Sequence, residues 1–513
     1  MSGYIYNVSS RFFEIAQKYG DCPALLTSAG EVVTYEKLAS NVLSIVGSLN
    51  SLTLDKPVAI AHDKSVDAFS TILALLALGV PYACIDPDNP HGRIEKILRT
   101  IEARYLIGPE SYSGLASPES PEIRIEFVPL SELSAGDMVD IANLPEVAGD
   151  TIAYIMFTSG STGVPKGVAI SHDNVLNFSN WAGTFLRIGP EDRVTSLNPM
   201  YFDNSVFDFY GSIMNGAALV PVTKELLSDF VRLTRLFEHV KPTFWFSVPS
   251  TLIYLNTMKV LSNNFLSSFR AIMFGGEGFP LAELRKLARK IGTDCELINV
   301  YGPTECTCIC AARVLESADL IGEGLPTLGG LIPNFEYKIV DEHGAAIGPG
   351  EIGELVLFGP NVGLGYYGDL ERTEAAFGKS FDSGVERRFY RTGDLVTEDD
   401  QTGELDFKGR KDNQIKHMGY RIELEEIEAI LSGIPGVEQA VSIYVPGELH
   451  AGQICAFISG SLDASEKDAI KSMAKQLLPA YMVPRQYFFE RHLPKNANGK
   501  VDRKKLMENL KSG

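Results

Sequence analysis

The sequence lacks an excess of positive charge, and this limits the partners that the protein can have. Among its 513 residues, 46 Lys and Arg stand against 65 Asp and Glu, for a formal net charge of -19. Nucleic acids and anionic membranes are bound mainly by basic surfaces, so we expect neither as a main partner. The 45% share of hydrophobic residues is ordinary for a globular protein. The length predicts roughly two to four structural units.

The sequence also lacks the signals that would send a chain to or across a membrane. The N-terminal segment shows no basic region followed by an apolar run and a small-residue cleavage site, as a signal peptide would. The most apolar stretch, residues 68–85, is interrupted by Gly79 and Pro81. This favours a buried helix followed by a short strand over a membrane span. We therefore expect a cytoplasmic protein with no membrane span.

Paired cysteine motifs are absent as well. The chain has seven cysteines, an odd number without a C-x-x-C pair, which is typical of reduced thiols. Cys306, Cys308 and Cys310 alternate, so in a strand they would share one face. A metal site at these three cysteines is the weaker alternative, because no histidine or C-x-x-C pair lies nearby.

The stretch FTSGSTGVPKG, residues 157–167, is the first with a chemical signature. Its hydroxyls, glycines and single lysine predict a cradle for a polyphosphate, and a flexible Gly/Ser loop is the alternative. It is not a Walker A loop, because Gly160 and Gly163 are too close together and a glycine rather than a hydroxyl residue follows Lys166. The predicted phosphate-binding residues are Thr158, Ser159, Gly160, Ser161, Thr162, Gly163 and Lys166.

Strand-like and helical segments alternate through most of the chain, which predicts an α/β fold. The apolar runs PVAIAH, VPYACID and TIAYIMF are each followed by a predicted helix or, for the last, by the loop above. Around residues 396–416 the sequence becomes polar and turn-rich, as is typical of a hinge. We predict a large N-terminal domain of mixed sheets between helices, residues 1–408. A small mobile α+β domain, residues 409–513, is predicted to follow it.

Six further stretches follow in a characteristic order. They are FDNSVFDFYGSIMNG from 202, FGGEGFP from 274, NVYGPTE from 299, YRTGDL from 390, GRKDNQIKHMGYRIELEEIE from 409 and LPKNANGKVDRKKL from 493. Together with the loop at 157–167 they resemble the adenylate-forming superfamily. The resemblance is greatest to the amino-acid adenylation domains of nonribosomal peptide synthetases and to the D-alanine–D-alanyl carrier protein ligases. It spans about residues 30 to 505.

This resemblance implies an ATP site. The loop at 157–167 would grip the β- and γ-phosphates with a magnesium ion. Thr304 would contact the α-phosphate, Glu305 would bind Mg²⁺ through a hard oxygen, and Tyr301 would offer an aromatic face to adenine. The remaining adenine and ribose contacts would come from Gly275, Gly276, Glu277, Asn299, Val300, Asp394 and Arg410. Taken alone, an Asp after Thr-Gly is more often a turn residue, so the ribose role of Asp394 depends on the resemblance.

The resemblance also implies an amino-acid site around Asp203. In amino-acid-activating members an aspartate at this position pairs with the α-ammonium, and a buried carboxylate suits this role because an unpaired buried charge is costly. The alternative is that Asp203 caps the helix that follows it, although Asn204 or Ser205 could also do so. Phe202 would gate the substrate carboxylate. The other pocket residues would be Asn204, Phe207, Phe274, Ile298, Val300 and Gly330, a mainly apolar wall that favours an uncharged side chain.

The C-terminal motifs imply a mobile catalytic group. Lys500 lies in Asn-Gly-Lys, a tight-turn sequence, and matches the family's catalytic lysine, which bridges the attacking carboxylate and the α-phosphate. The small domain would rotate between two half-reactions about a hinge at Lys411 or Asp412. Gly419 would then lie near an incoming pantetheine arm.

Together these features predict an ATP-dependent ligase. It would form an aminoacyl adenylate and pyrophosphate and then pass the aminoacyl group to the phosphopantetheine thiol of a carrier protein. No Gly-Gly-x-Ser attachment site occurs in the chain, so we expect a free-standing enzyme whose carrier acts in trans. The alternative is an acyl- or aryl-CoA ligase with the same two half-reactions. A non-catalytic nucleotide sensor or scaffold is disfavoured, because Lys166, Glu305, Asp394 and Lys500 are all present.

Overall fold

The computed structural model describes residues 6–117, 124–160, 163–382, 385–447, 452–496 and 501–512. By its contacts the chain divides into two units. The first comprises Met1–Asp86, Leu98–Phe157 and Gly167–Lys411, and the second comprises Pro87–Ile97, Thr158–Lys166 and Asp412–Gly513.

The strands follow one another along the chain with these bounds: β1 Pro23–Leu26, β2 Val32–Thr34, β3 Val58–Ala61, β4 Tyr82–Ile85, β5 Tyr105–Gly108, β6 Glu126–Pro129, β7 Ile152–Thr158, β8 Lys166–Ser171, β9 Arg193–Ser196, β10 Ala218–Pro221, β11 Phe244–Ser247, β12 Ala271–Gly275, β13 Glu296–Tyr301, β14 Ala311–Val314, β15 Gly330–Leu331, β16 Glu336–Val340, β17 Gly353–Phe358, β18 Gly365–Tyr366, β19 Phe377–Asp382, β20 Val385–Glu398, β21 Leu405–Arg410, β22 Gln414–His417, β23 Tyr420–Glu423, β24 Gln439–Val445, β25 Gln453–Ser459 and β26 Gln486–Glu490.

The helices are α1 Val8–Lys18, α2 Tyr35–Leu49, α3 Val66–Ala77, α4 His91–Thr100, α5 Leu130–Leu133, α6 His172–Phe185, α7 Asn204–Val206, α8 Lys224–Ser228, α9 Phe230–Val240, α10 Pro249–Thr257, α11 Asn263–Leu266, α12 Leu281–Ala288, α13 Leu370–Ala376, α14 Leu424–Ser432, α15 Ala464–Leu477 and α16 Arg503–Ser512. A π-helical turn, Phe207–Gly211, directly follows α7.

The first unit is built on three sheets. One has nine strands in the order β15-β14-β13-β12-β11-β9-β10-β1-β2, and a second has seven in the order β18-β8-β7-β4-β3-β5-β6. In the nine-stranded sheet β9 to β13 run parallel, whereas β2, β14 and β15 pair antiparallel with their neighbours. The third sheet, β16-β17-β20-β19 with β21 on β20, is antiparallel. This confirms the predicted α/β class with mixed sheets.

The apolar stretch at 68–85 is a buried helix followed by a strand, as predicted. Ser65 caps α3, its hydroxyl accepting a hydrogen bond from the Ala68 amide at 3.2 Å, and every residue from Ala68 to Ala77 is buried. Gly79 turns the chain in the left-handed region, with φ of +69°, before β4 begins. Among the described residues, no helix combines the length and the apolarity needed to cross a bilayer.

The C-terminal part of the second unit has its own core. This part contains helices α14 and α15 and strands β24 and β25, and the apolar side chains of these elements pack together. Arg503 at the start of α16 ties this helix to the rest, because its guanidinium donates to the Ser442 carbonyl at 2.6 Å and to Glu428 at 2.9 Å. These elements match the predicted small α+β unit.

A buried histidine makes the first unit sensitive to acid. His172 begins α6, is fully buried, and accepts a hydrogen bond from the Val8 amide at the start of α1 through Nδ1 at 3.2 Å. Burial lowers the pKa of His172 to about 4. Between about pH 6.5 and 4 the unfolded chain therefore binds a proton that the folded chain does not, and stability falls as the pH drops through this window.

We expect this single group to reduce the free energy of unfolding by about 3 kcal/mol at pH 4 relative to pH 7. Denaturant unfolding of wild type and His172→Gln across pH 4 to 7 measures it, since the variant should lose that part of the pH dependence. The exposed His239→Gln is the matched control and should behave as wild type. Parallel pH profiles for wild type and His172→Gln would contradict the assignment.

Candidate active site

Asp203 stands at the entrance to α7, between β9 and the π-helical turn. Its side chain makes no capping hydrogen bond with the helix, so the N-cap alternative is wrong. The nearby Ser205 hydroxyl does not replace it, since it donates to the Phe202 carbonyl at 2.6 Å. Instead, Asp203 Oδ2 accepts a hydrogen bond from Thr304 Oγ1 at 2.6 Å. The Asp203 carboxylate is therefore oriented by Thr304, which lies 101 positions away in the sequence, and not by a hydrogen bond to its own helix.

Thr304 and Glu305 lie in a short 3-10 turn that follows β13. Thr304 was expected to contact the α-phosphate of ATP, and in this structure its hydroxyl is the donor to Asp203. Glu305 is fully buried, and the Tyr366 hydroxyl donates to its Oε1 at 2.9 Å. A buried carboxylate whose Oε1 is held in place fits a Mg²⁺ that takes its other ligands from phosphates and water. No cluster of three or more metal-ligating side chains occurs among the described residues.

The cysteines at and after this turn do not lie in a strand. Cys306 ends the 3-10 turn, and Thr307 and Cys308 both have left-handed backbones, with φ of 57° and 76°. β14 begins only at Ala311, so the alternation of Cys306, Cys308 and Cys310 does not place them on one strand face. Two consecutive left-handed residues other than glycine are strained, and such strain is common near functional sites.

Cys308 is a site residue that the sequence analysis missed. Its thiol is buried, and burial, followed by the carboxylates of Asp203 and Asp208, raises its pKa well above the usual range. The Cys308 thiol is thus neutral and within electrostatic range of the carboxylate that was predicted to bind the substrate amine. The strained turn at Thr307 and Cys308 is not visible in the sequence, because neither residue type signals a left-handed backbone.

The predicted pocket wall is divided between two faces of the nine-stranded sheet. In the register of β12 and β13, Met273 pairs with Ile298 and Phe274 pairs with Asn299. Since paired residues point to the same face, Ile298 and Val300 share a face that Phe274 does not. Phe274 packs against Phe279 in another core, with ring centroids 4.9 Å apart.

Phe207 lies on the same side as Ile298 and Val300. Its ring meets Phe246 edge-on at 5.4 Å, and Phe246 pairs with Met273 in the sheet. Phe246 and Met273 therefore share the sheet face of Ile298 and Val300. Only the strand register reveals them, because Met273 and Phe274 are adjacent and equally apolar. Gly330 is exposed on β15, with no heavy atom within 4 Å of a Cβ built on it.

The predicted adenine wall lies at the end of β12. A Cβ built on Gly275 would come 2.5 Å from the Val300 carbonyl oxygen, so the backbones here approach more closely than a side chain allows. Gly276 has φ of +83°, and a Cβ there would lie 4.0 Å from the Asn204 amide nitrogen. Glu277 accepts a hydrogen bond from the Ser250 amide at 3.2 Å. The glycines thus bring the adenine motif and the amino-acid motif together.

Asp394 is the centre of the predicted ribose site. Its two oxygens are held separately, Oδ2 by the Tyr301 hydroxyl at 2.5 Å and Oδ1 by Arg410 Nη1 at 2.5 Å. Asp394 and Arg410 face each other across β20 and β21, and both Asp394 and Tyr301 are buried. Burial and the Asp394 carboxylate raise the pKa of Tyr301 well above its usual range, so its hydroxyl remains a donor. A carboxylate has about four acceptor sites, which leaves room for ribose hydroxyls.

Asn299 lies beside Tyr301 on β13 and is held by the loop that precedes β15. Its amide donates to the Thr327 carbonyl at 2.7 Å. This bond fixes one end of β13, on which Val300 and Tyr301 also stand.

The phosphate-loop residues belong to the second unit. The loop follows β7 as predicted, but Lys166 opens β8 rather than lying within the loop. Ser159 Oγ donates to the Arg421 carbonyl at 2.7 Å, the Gly160 amide donates to Glu426 Oε2 at 3.2 Å, and Lys166 Nζ lies 3.2 Å from Glu423 Oε1. The loop therefore binds two carboxylates with donors of the kind that bind phosphate. Ser161 and Thr162 lie outside the described residues.

Three more features of the phosphate loop involve a threonine and two glycines. The Thr158 hydroxyl is buried and has no hydrogen-bond partner within the described residues. Gly163 has φ of +77°, and its carbonyl accepts a hydrogen bond from Lys96 at 2.9 Å. A Cβ on Gly160 would meet the Val164 carbonyl oxygen at 2.0 Å, so the loop depends on glycine at this position.

The predicted hinge residues fall at the boundary between the two units, since the first ends at Lys411 and the second begins again at Asp412. The Lys411 amide donates to the Gly393 carbonyl at 3.0 Å, and its ammonium lies 2.9 Å from Glu354. Asp412 accepts a hydrogen bond from the Gln414 amide at 3.2 Å. Lys500, the predicted catalytic lysine, lies outside the described residues.

Comparison with known proteins gives consistent matches along the chain. The family described as "AMP-binding enzyme" matches residues 12–367, and the "AMP-binding enzyme C-terminal domain" matches residues 426–500. A D-alanine–D-alanyl carrier protein ligase of Bacillus licheniformis is 34% identical, over 94% of this chain and 95% of that protein. An L-proline–[L-prolyl-carrier protein] ligase of Pseudomonas fluorescens is 33% identical, over 92% of this chain and 93% of its own length.

A solved structure extends the likeness to three dimensions. The Vibrio cholerae adenylation domain AlmE, crystallised with glycyl-adenosine-5′-phosphate, superimposes with a TM-score of 0.82 at 25% identity and covers 100% of this chain and 99% of that chain. These matches confirm the resemblance predicted from the ordered motifs. The chain therefore belongs to the AMP-binding enzyme family.

Proposed function

We propose that the protein catalyses ATP-dependent adenylation of an amino acid and then transfers the aminoacyl group to the phosphopantetheine thiol of a carrier protein. The observation that carries this proposal is the Asp203 carboxylate, which does not cap α7 and is oriented by Thr304 at 2.6 Å. A fatty or aryl acid has no cation to pair with such a carboxylate. The carrier protein ligases among the relatives support the same chemistry.

In the first half-reaction the substrate carboxylate attacks the α-phosphorus of ATP, and pyrophosphate leaves. Asp203 pairs with the substrate ammonium and so orients the carboxylate, while Asp394 binds the ribose hydroxyls next to Tyr301 and Arg410. Glu305 and the loop at 158–166 are proposed to hold Mg²⁺ and the outer phosphates, and Mg²⁺ when bound neutralises phosphate charge. Lys500 is proposed to stabilise the charge that develops between carboxylate and phosphate.

In the second half-reaction the carrier thiol attacks the carbonyl carbon of the adenylate, and AMP leaves. The carbon–sulfur bond forms as the carbon–oxygen bond to AMP breaks, and the thiol proton passes to solvent. We propose that Gly419 lies near the incoming pantetheine arm in this step. The reaction consumes ATP, and all seven cysteines are free thiols, which supports action in the cytoplasm.

The pocket supports a neutral side chain. Phe207, Phe246, Met273, Val300 and Cys308 are buried and present apolar surface, and burial keeps the Cys308 thiol uncharged. D-alanine ligases typically carry cysteine where this chain has Gly275. A Cβ there would lie 2.5 Å from the Val300 carbonyl oxygen, so cysteine would require a backbone shift. The pocket therefore differs from that of a D-alanine ligase at this position.

Amino-acid-dependent exchange of pyrophosphate into ATP tests the proposal. The panel contains glycine, both alanine enantiomers, proline, larger aliphatic and aromatic amino acids, and the des-amino acid that corresponds to each. We expect pyrophosphate exchange only with acids that carry an amine. The amino acid that gives the fastest exchange identifies the substrate side chain that the pocket binds. Exchange with acids that lack an amine, followed by transfer to coenzyme A, would identify an acyl- or aryl-CoA ligase instead.

The hinge assignment makes a separate prediction. Proline at position 412 fixes its own φ and restricts Lys411 to extended conformations, so Asp412→Pro should hinder a rotation there. We expect thiol transfer to fall by about tenfold or more while adenylation changes much less. Single-turnover formation of the adenylate and its transfer to a pantetheine thiol are measured separately.

Asp412→Ala is the matched variant for this test. It removes the hydrogen bond to the Gln414 amide and leaves φ free, so it should spare both half-reactions. Equal losses of adenylation and thiol transfer in Asp412→Pro would count against a pivot at this residue.

A further inference from the structure

Asp208 is a buried carboxylate that the proposed chemistry does not use. It is the second residue of the π-helical turn Phe207–Gly211 and is fully buried. Asn198 donates three hydrogen bonds to it, from the backbone amide to Oδ2 at 3.1 Å and from Nδ2 to Oδ1 at 3.2 Å and to Oδ2 at 3.0 Å. Burying a carboxylate is costly unless donors compensate, and both oxygens of Asp208 receive them. We call these three bonds the clamp.

The clamp joins the two ends of one loop. Asn198 lies just after β9 and Asp208 just after α7, so the intervening segment, residues 199–207, starts at one partner of the clamp and returns to the other. This segment, the clamped loop, carries all the residues that the motif beginning at 202 contributes to the predicted amino-acid site: Phe202, Asp203, Asn204 and Phe207. The clamp therefore limits the conformations that these residues can adopt.

Asn198 is itself fixed to the nine-stranded sheet. Its Nδ2 also donates to the Phe246 carbonyl on β11 at 3.0 Å. The Ser196 carbonyl at the end of β9 accepts hydrogen bonds from the Val222 amide at 3.0 Å and from Lys64 Nζ at 2.6 Å. Asp208 is thus bound to a rigid part of the sheet, and sites supported by strands are held more precisely than sites supported by loops alone.

The π-helical turn directs two adjacent side chains to the same strand. The Phe207 ring meets Phe246 edge-on at 5.4 Å, and Asp208 reaches the Phe246 carbonyl through Asn198. The Ser212 hydroxyl donates to the Asp208 carbonyl at 2.5 Å and so stabilises the turn. Single π-helical turns are rare and occur frequently at functional sites. This turn places one pocket residue and one clamp residue side by side.

We propose that Asp208 is a positioning residue of the amino-acid site, which through Asn198 holds the clamped loop in one conformation so that Asp203 is in place before the amino acid binds. This inference depends on the proposed function, because it requires an amino-acid substrate. The bond from Thr304 fixes the Asp203 carboxylate, and the clamp fixes the backbone that carries it. A site that is already ordered does not lose binding energy to the ordering of its own loop.

Asp208→Asn tests the inference. Asparagine keeps the size of the side chain but has one acceptor oxygen instead of two, so at least one bond of the clamp is lost. In pyrophosphate exchange we expect kcat/KM for the preferred amino acid to fall about tenfold or more, mainly through KM, while KM for ATP changes little. Amide hydrogen exchange should become faster within residues 199–207 and stay unchanged in the seven-stranded sheet.

Asn198→Ala is the second variant and keeps the backbone part of the clamp. It should reproduce the rise in KM for the amino acid. The double variant Asn198→Ala/Asp208→Asn should lose less than the product of the two single effects, because both substitutions break the same contact.

Asp192→Asn is the matched control. Asp192 precedes β9 at its other end, is also buried, and accepts hydrogen bonds from the Thr243 hydroxyl at 2.9 Å and from Arg270 Nη2 at 2.9 Å. Its substitution should lower the midpoint of thermal unfolding but leave KM for the amino acid at the wild-type value. A stability loss alone therefore does not produce the expected change in KM.

Wild-type protein supplies a test that needs no variant. Amide hydrogens of residues 199–207 should exchange slowly before any substrate is added. Rapid hydrogen exchange there would overturn the inference, as would a folded Asp208→Asn with unchanged KM for the amino acid or with equal rises in KM for the amino acid and for ATP. These results would leave the proposed function intact, whereas a wild-type protein without amine-dependent pyrophosphate exchange would overturn the proposed function itself.

Discussion

Asp203→Ala is expected to lower kcat/KM for amino-acid-dependent pyrophosphate exchange by about 10²- to 10³-fold, because it leaves a substrate ammonium in a desolvated pocket without its counter-charge. Removing one partner of a buried ion pair typically costs about 3 to 5 kcal/mol, and the lower part of this range corresponds to the expected loss. The loss should appear mainly in KM for the amino acid. KM for ATP should change little, because the ribose carboxylate Asp394 is a separate group held by Tyr301 and Arg410.

Two controls make this result specific. Ser205→Ala removes a hydroxyl that bonds to the Phe202 carbonyl beside Asp203, and it should leave kcat/KM nearly unchanged. Pyrophosphate exchange that depends on the des-amino acid is measured on wild type and on Asp203→Ala. Its rate should not fall in the variant, and the ratio of this rate to the rate with the amino acid should rise. If Asp203→Ala retained wild-type kcat/KM for an amino acid, Asp203 would have no role in binding the amine.

Lys500→Ala is expected to reduce the rate of adenylation by at least about 10²- to 10³-fold, since it removes a donor aimed at charge that develops in the transition state. The expectation comes from the motif LPKNANGKVDRKKL alone. The fall should appear in kcat, because a group that acts mainly on the transition state contributes little to ground-state binding. Quenched single-turnover assays that separate adenylate formation from substrate binding measure the step directly.

The matched control is Lys504→Ala, which removes an exposed lysine from the following helix α16. It changes the net charge of the protein by the same amount as Lys500→Ala does. It should leave adenylation at the wild-type rate. A second readout supplies preformed aminoacyl adenylate and follows transfer to a pantetheine thiol, which Lys500→Ala should largely spare. An unimpaired adenylation rate in Lys500→Ala would exclude the catalytic role of this residue.

Much of the fold was accessible from local patterns. Gly79 and Pro81 interrupt the apolar stretch at 68–85 in the sequence. In the structure the chain turns at these residues, between α3 and β4. The alternation of strands and helices predicted the α/β class. These features depend on neighbouring residues, for which periodicity and turn chemistry are reliable guides.

The cysteine alternation shows where local patterns fail. Cys306, Cys308 and Cys310 have the spacing of a strand face, but Thr307 and Cys308 adopt left-handed backbones. The reason lies in the packing against Gly302, where a Cβ would come 2.1 Å from the Cys308 carbonyl oxygen. The close approach of two segments, not the intrinsic preference of the cysteines, determines this turn.

The sequence by itself determined the family, the order of the motifs, and the residue types that the chemistry requires, because these are properties of short contiguous segments. Only the tertiary structure decided which neighbours share a site. The register of β12 on β13 separates Phe274 from Ile298 and Val300, and the bond from Thr304 to Asp203 joins residues 101 positions apart. Strand pairing and burial are set by long-range contacts that no local pattern encodes.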